Sequence, residues 1–354
     1  MNRPDTAELI KQLSQAVGVT GYRGPNRIDE VIAGMLAPCT DRVERDRMGS
    51  VVGVRLGRQT GEPRRRVMLA AHLDEIGAVV TEIDRGVLRF TEVGGLDDRV
   101  LMGQEVTVHG RRDLPGVIGS IPPHLQTGPA DKVDLEKMHI DVGLPPAQVA
   151  RLVRVGDLVS FTRPPLELQN GLISGKAMDN RASVAAMVAC LQQLSRLQHQ
   201  WDVYAVATAD EEWGGYVGAT TQAYALHPDV AIVLDVTFAD VSEIEVKLDH
   251  GPVVTLGPGN HPAVRRRLLD LCRELELKYQ VEALPGGAGT DAYAIEISRE
   301  GVPTALVSIP VRNMHSPVEV VHPRDVERTA RLLAHFIAGL DEDFVQALVP
   351  KVDN

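Results

Sequence analysis

The chain has 354 residues, of which 44% are hydrophobic, and a formal net charge of -11 at pH 7. This length and apolar content predict a substantial buried core divided over two domains, and they exclude a disordered chain. The acidic charge argues against nucleic acid as a main partner, because binding a phosphate backbone requires a basic face.

The lack of a recognisable targeting or membrane-spanning segment, together with the cysteine content, predicts a cytoplasmic protein without a membrane partner. The first residues lack the apolar core of a signal peptide, and no apolar run approaches the roughly 18 residues of a membrane span. The three cysteines, Cys39, Cys190 and Cys272, are odd in number and widely spaced. We expect them to be buried structural thiols.

Apolar patterns at the start of the chain predict helices followed by strands. The predicted helices lie near Thr6 to Ala16 and Pro25 to Leu36, and the predicted strands lie around Val51 to Leu56 and Arg66 to Ala71. This order favours an α/β layer fold.

The second of these strands leads directly into His72, and Asp74 follows two residues later. A carboxylate at this position suits the acceptor for the second ring N–H of a metal-ligating histidine, which would fix the tautomer of the ring. A lone histidine after an apolar strand more often has a structural role than a metal-binding one. The nearby aspartate makes the two roles more evenly matched for His72.

Residues 77 to 168 are rich in Val, Thr, Gly and Pro and contain short alternating runs such as Val87-Leu88-Arg89-Phe90-Thr91. This composition predicts a small β-rich domain inserted into a larger one. The larger domain then comprises residues 1–76 and 169–354, where helices and strands are predicted to form a sheet covered by helices on both faces. After Asp179 the predicted order is helix, strand, strand, helix, strand and helix.

Asp179 stands immediately before the apolar helical stretch Ala182 to Leu194. Its plainest role is to cap the helix, which Asn180 could also do. A carboxylate at a helix start is equally suited to bridging two cations about 3.5–4 Å apart.

Glu211 and Glu212 follow a predicted buried strand, Val203 to Ala207. Adjacent side chains diverge there, so one carboxylate can bind a metal while the other takes a proton from the attacking water. A solvated acidic turn is the alternative for an isolated pair.

Two further candidates complete the set. Asp235 closes the apolar run Val230 to Leu234, and it needs a partner because burying a bare carboxylate is costly. His315 lies in a short turn between the apolar run Thr304 to Ile309 and a C-terminal helix. Together these imidazole and carboxylate groups suit zinc, cobalt or manganese better than a cysteine-rich structural zinc site or a calcium site.

Several ordered motifs make the chain similar to a known family, the tetrahedral dodecameric aminopeptidases and their glutamyl aminopeptidase relatives, which form family 42 of the metallopeptidases in clan MH. Besides the blocks around the candidate ligands, the chain carries motifs that cover most of its length: Gly94-Gly95-Leu96, Arg99-Val100-Leu101-Met102-Gly103-Gln104, Gly116-Val117-Ile118-Gly119, Ile121-Pro122-Pro123-His124-Leu125, Ile140-Asp141-Val142-Gly143, Gly289-Thr290-Asp291-Ala292 and His315-Ser316-Pro317-Val318-Glu319.

The resemblance implies a role for each candidate residue. Asp179 would bridge two divalent metal ions, zinc or cobalt with manganese as an alternative. His72 and Asp235 would complete one site, and Glu212 and His315 the other. The catalytic residues would be Glu211, as general base, and Asp74, which would orient His72.

The resemblance also implies a three-layer α/β/α catalytic domain of the phosphorylase/hydrolase type and an inserted β-barrel or PDZ-like domain that mediates dimerisation. Six dimers would form a hollow dodecamer, and short peptides would be the substrates. The insert lies between the first histidine and the bridging aspartate, whereas in the related carboxypeptidases and deacylases the extra domain lies between the second Asp or Glu ligand and the final histidine. A deacylase or carboxypeptidase on the same core remains an alternative, as does a non-catalytic shell or scaffold protein.

Two positions depart from the family pattern. Asp210 stands beside the base where the family usually has Gln, and an extra carboxylate there is expected to raise the pKa of Glu211. An alanine, Ala288, interrupts the usual glycine run of the family; the remaining glycines could allow close backbone approach to substrate, and a plain flexible turn is the default interpretation of such a cluster.

Overall fold

The structure is a computed structural model that describes residues 5–120, 135–241, 244–286 and 289–349. The motif Ile121 to Leu125 and residues Gly287 and Ala288 of the glycine run lie outside these ranges.

In the described ranges, two α-helices precede the first strands, and helices and strands are interspersed after the middle of the chain. The helices are α1 (Thr6–Gln15), α2 (Ile28–Leu36), α3 (Pro146–Leu152), α4 (Met178–Leu194), α5 (Val217–Leu226), α6 (Pro262–Glu274), α7 (Asp291–Glu296), α8 (Pro323–Ala338) and α9 (Glu342–Leu348). The strands are β1 (Arg42–Arg45), β2 (Val51–Arg55), β3 (Arg66–His72), β4 (Gly77–Asp84), β5 (Val87–Val93), β6 (Glu105–His109), β7 (Asp113–Ser120), β8 (Met138–Asp141), β9 (Leu158–Phe161), β10 (Leu166–Glu167), β11 (Ile173–Gly175), β12 (Asp202–Thr208), β13 (Val230–Phe238), β14 (Val253–Leu256), β15 (Gln280–Ala283), β16 (Thr304–Val311) and β17 (Glu319–Val321).

An eight-stranded sheet forms the centre of the larger unit, in the order β1-β2-β12-β3-β13-β16-β14-β15. Strands β12, β3, β13 and β16 are parallel neighbours, which explains why they read as nearly continuous apolar runs. Alternate side chains of β3 enter two separate cores: Val67 and Leu69 pack with α4 and α8, whereas Met68 and Ala70 pack with α5 and α7. Helices therefore cover both faces, and the predicted three-layer α/β/α fold is confirmed.

Strands β4 to β9 form a closed barrel in the order β4-β5-β8-β7-β6-β9. The barrel has its own apolar core, in which Leu88, Val108 and Ile140 are fully buried. It follows His72 and precedes Asp179 along the chain, so the prediction of a β-rich insertion with a barrel architecture is confirmed.

The structure differs from the predicted order of elements after Asp179. Helix α5 lies between β12 and β13, where two consecutive strands were predicted, and β14, β15, β17, α7 and α9 are additional. Helix α5 was not predicted from the sequence, because its buried face consists mainly of Gly218, Ala219 and Ala223 rather than large apolar residues. Among the described helices, none is long and apolar enough to cross a membrane.

Candidate active site

All the predicted ligands lie at one edge of the central sheet. The carboxyl ends of adjacent parallel strands meet there, so residues distant in sequence come together. His72 is the last residue of β3, Asp179 lies at the start of α4, and Glu211 and Glu212 lie in the turn after β12. Asp235 is the sixth of the nine residues of β13, and His315 lies in the turn between β16 and β17. Strand β13 continues to Phe238, so Asp235 lies within the strand and does not close it.

Asp179 occupies the middle of the cluster, and its two carboxylate oxygens face different partners. Its Oδ1 lies 3.1 Å from Nε2 of His72, and its Oδ2 lies 3.4 Å from Nε2 of His315. The side chain therefore does not serve primarily as a helix cap. Asn180 is also engaged elsewhere, because its amide donates to the carbonyl of Leu234 at 2.9 Å.

One further carboxylate accompanies each histidine. Oδ1 of Asp235 lies 3.9 Å from Nε2 of His72, and Oε2 of Glu212 lies 3.7 Å from Nε2 of His315. Ligand atoms of His72, Asp179 and Glu212 all lie within 4.8 Å of one another. The short distances therefore pair Asp235 with His72 and Glu212 with His315 on either side of Asp179, while the group of His72, Asp179 and Glu212 spans both pairs and makes them one continuous cluster.

Glu211 lies beside this cluster. Its Oε2 is 3.9 Å from Nε2 of His72. Burial raises the pKa of Glu211 to about 7; the positive charge of His72 opposes this shift, and Asp291 and Asp179 add to it. The predicted rise is therefore present, but its main causes are burial and Asp291 rather than Asp210, which lines a separate cavity with Arg23.

Asp74 connects the end of β3 to the turn that carries the Glu pair. Its Oδ1 accepts the backbone N–H of Glu211 at 3.1 Å, and its Oδ2 accepts the backbone N–H of Glu212 at 3.2 Å and the hydroxyl of Thr20 at 2.7 Å. Oδ1 lies 3.6 Å from Nδ1 of His72, while the backbone oxygen of Asp74 is closer to that nitrogen at 3.3 Å.

Two buried carboxylates support the site, although the sequence assigned them no role. Glu319 accepts the backbone N–H of Asp179 at 3.0 Å and that of His315 at 2.8 Å, and burial raises its pKa to about 8. Asp291 accepts the hydroxyl of Thr208 at 2.5 Å, and burial raises its pKa to about 6. Both residues belong to motifs shared with the family, and this membership was the only sequence feature that could have pointed to a role for them.

The electrostatics of the cluster fit divalent cations. Burial and the charge of Asp179 raise the pKa of Glu212 well above its ordinary value, and burial likewise raises the pKa of Asp235. Oε1 of Glu212 is buried and has no hydrogen-bond partner among the described residues. Buried carboxylates in such numbers require positive charge, and two imidazoles supply little of it.

Comparison with known proteins agrees with this donor set. A family model described as M42 glutamyl aminopeptidase matches residues 49–332. The lysyl aminopeptidase of Pyrococcus furiosus is 35% identical over 338 residues, which cover 92% of this chain and 94% of that protein. The chain belongs to the M42 aminopeptidase family. It is therefore a peptidase, as the sequence motifs predicted, and M42 peptidases depend on metal ions.

Solved structures of M42-like peptidases share the whole architecture. The aminopeptidase of the archaeon Desulfurococcus kamchatkensis is 35% identical and superimposes with a TM-score of 0.88, covering 99% of each chain. The TET1 peptidase of Pyrococcus horikoshii is 30% identical, with a TM-score of 0.83 over 95% of this chain and 100% of that one; it can assemble into a tetrahedron or a large octahedral shell.

Proposed function

We propose that this M42 peptidase removes N-terminal residues from short peptides with the help of two divalent metal ions, zinc or cobalt with manganese as an alternative. The observation that carries the proposal is the division of Asp179. One of its oxygens faces His72 and the other faces His315, and each histidine has a further carboxylate nearby. His72 and Asp235 would hold one ion, and Glu212 and His315 the other.

In this proposal Glu211 is the general base. Its carboxylate lies at the edge of the cluster, 3.9 Å from Nε2 of His72, and burial favours proton uptake by raising its pKa, which suits a group that accepts and returns a proton. Glu211 would take a proton from the attacking water and return it to the departing amine. The bound ions would supply Lewis-acid polarisation of the scissile carbonyl and of the water.

Asp74 and Glu319 would act as positioning residues. Each accepts two backbone N–H groups from segments that carry the functional side chains: Asp74 holds the Glu211–Glu212 turn, and Glu319 holds Asp179 and His315. Carboxylates that bond the backbone in this way fix the direction of neighbouring side chains.

The test separates the base from the ligands by comparing two adjacent glutamates. Glu211→Gln should lower kcat by several orders of magnitude while the protein retains both metal ions, measured by elemental analysis after dialysis. Glu212→Gln, its matched control, should lose one ion. Loss of metal from Glu211→Gln would identify Glu211 as a ligand and contradict the assignment.

The reaction class is tested with aminoacyl chromogenic amides and their N-acetylated counterparts. An aminopeptidase requires the free amine, so only the unblocked substrates should be cleaved. Release of acetate from the acetylated series would instead indicate a deacylase, and release of C-terminal residues from peptides, prevented only by a blocked C-terminus, would indicate a carboxypeptidase.

We also propose that residues 1–76 and 169–354 form the catalytic domain, and that residues 77–168 form an oligomerisation domain through which the chain makes dimers and then a dodecamer. The separate apolar core of the barrel and the shells formed by the TET1 peptidase support this division. Cys39, Cys190 and Cys272 are buried and form no disulfide within the described part of the chain, which is consistent with the reducing cytoplasm proposed as its location. Mass photometry should show a dodecamer, and a stable monomer would contradict the proposal.

A further inference from the structure

We propose that Glu282 makes the site selective for peptides whose N-terminal residue carries a positive charge, Lys or Arg. The inference rests on the proposed aminopeptidase function. It concerns the cavity of about 350 Å³ that adjoins the metal-ligand cluster and has a volume typical of small-ligand sites.

Glu282 lies on β15 and lines this cavity opposite the end of β13. Its Oε2 accepts the hydroxyl of Thr237 at 2.8 Å. Thr237 follows Asp235 by two residues on the same strand, so both side chains lie on one face, on the order of 7 Å apart. The carboxylate of Glu282 is one hydrogen bond further from Asp235. The distance between the ligand cluster and the carboxylate of Glu282 therefore suits a substrate whose N-terminal residue is held at the cluster and has a long side chain that reaches Glu282.

The charges that line the cavity favour a cation. Apart from the proposed metal ligands and the base, Glu282 is the one charged side chain among the described lining residues, and none of them is Lys or Arg. Two divalent ions would offset the four carboxylates Asp179, Glu211, Glu212 and Asp235, whereas Glu282 would keep an uncompensated negative charge. In the described part of the chain, it accepts the bond from Thr237 and lies in no ion pair.

Apolar surface lies beside this carboxylate. Phe238, which is 49% exposed, and Leu284 line the same cavity. Lys and Arg side chains pack their methylene stems along such surface while a polar partner receives the charged end. A site with apolar walls and one carboxylate at its end thus matches a basic residue better than an aliphatic or acidic one.

Glu282 has one competing role, since it could accept the free α-ammonium group of every substrate. The two roles predict different patterns. A side-chain selector affects only basic N-terminal residues, whereas an α-ammonium acceptor affects all substrates equally.

The experiment measures kcat/KM of the metal-loaded enzyme for Lys, Arg, Leu and Glu aminoacyl amides. The wild type should prefer Lys and Arg. Glu282→Gln should lower kcat/KM for these two substrates on the order of 10- to 100-fold, as expected for loss of a charged hydrogen-bond partner, and leave Leu within about twofold. Glu282→Lys should raise the relative rate for Glu.

Glu296→Gln is the matched control, because Glu296 is a half-buried carboxylate that lines the neighbouring cavity with Thr255 and Asn260. It should leave the preference unchanged. Equal losses for all four substrates, or an unchanged preference in Glu282→Gln, would overturn the inference while leaving the aminopeptidase function intact. A wild type that cleaves none of the free-amine substrates would refute the proposed function, and this inference with it.

Discussion

A buried ion pair joins the two segments that deliver His72 and Asp179, and its removal gives the sharpest stability prediction. Glu75 lies three residues after His72, and Lys176 lies three residues before Asp179. Nζ of Lys176 is 2.5 Å from Oε2 of Glu75, and their side chains are 5% and 1% exposed. The fully buried Arg181 lies 3.8 Å from the other oxygen of Glu75, so one carboxylate serves two cations.

The two halves of this pair should respond unequally. Glu75→Gln leaves Lys176 and Arg181 buried with no opposing charge between them, and we expect it to lower the free energy of unfolding by about 3–5 kcal/mol. Lys176→Met leaves Glu75 with Arg181 and with the backbone N–H of Gly18 at 2.8 Å. The expected loss is smaller, about 1–3 kcal/mol. Either change removes a large part of the roughly 5–15 kcal/mol typical of native proteins.

Urea unfolding at pH 7 measures these differences in the free energy of unfolding, provided that the m-value is unchanged. The metal ions are chelated so that differences in metal affinity do not contribute. Glu44→Gln is the control, because its pair with Arg42 is about half exposed and should contribute nothing measurable. A loss below about 1 kcal/mol for Glu75→Gln, or a larger loss for Lys176→Met, would refute the reasoning that two cations depend on one buried carboxylate.

Three further predictions concern other parts of the molecule. Gly34→Ala should raise the free energy of unfolding by about 0.5–1 kcal/mol, because Gly34 is exposed on α2 and no atom lies within 4 Å of the added Cβ. Gly218→Ala should lower the free energy of unfolding in the same urea titration, because its Cβ would lie 2.4 Å from a backbone nitrogen. Burial raises the pKa of the Cys190 thiol and raises that of Cys272 to about 12, so neither should react with a thiol reagent at pH 8 until the protein is denatured, and a fast native reaction would contradict their burial. His315→Ala should reduce the bound metal from two ions to one per chain in elemental analysis, and retention of both would contradict the division of the ligands.

The sequence indicated where the candidate ligands would lie, because each one follows an apolar run, begins a helix or lies in the turn after a strand. Parallel strands bring such positions to one edge of a sheet, so their clustering could be expected from the sequence, whereas the role of each residue came from the family resemblance. Helix α5 was not predicted, because a face of Gly and Ala shows little hydrophobic periodicity. Glu319 and Glu282 were given no role for a different reason: the former accepts backbone N–H groups of residues distant in sequence, and the latter lines a cavity shared by strands distant in sequence. Neither relation leaves a local pattern.

The placement of the site depends on carboxylates that bond backbone rather than metal. Asp74 holds the turn of the Glu pair, and Glu319 holds Asp179 and His315, so four of the functional residues are located by hydrogen bonds that do not require an ion. The same arrangement crowds negative charge into a buried space, which raises the pKa values of several of the carboxylates. In the proposed metal site these two properties would complement each other: the backbone bonds would fix the candidate ligands in advance, and the destabilised negative charges would favour bound cations. A site built in this way gains affinity from crowding and loses little in reorganisation when the ions bind.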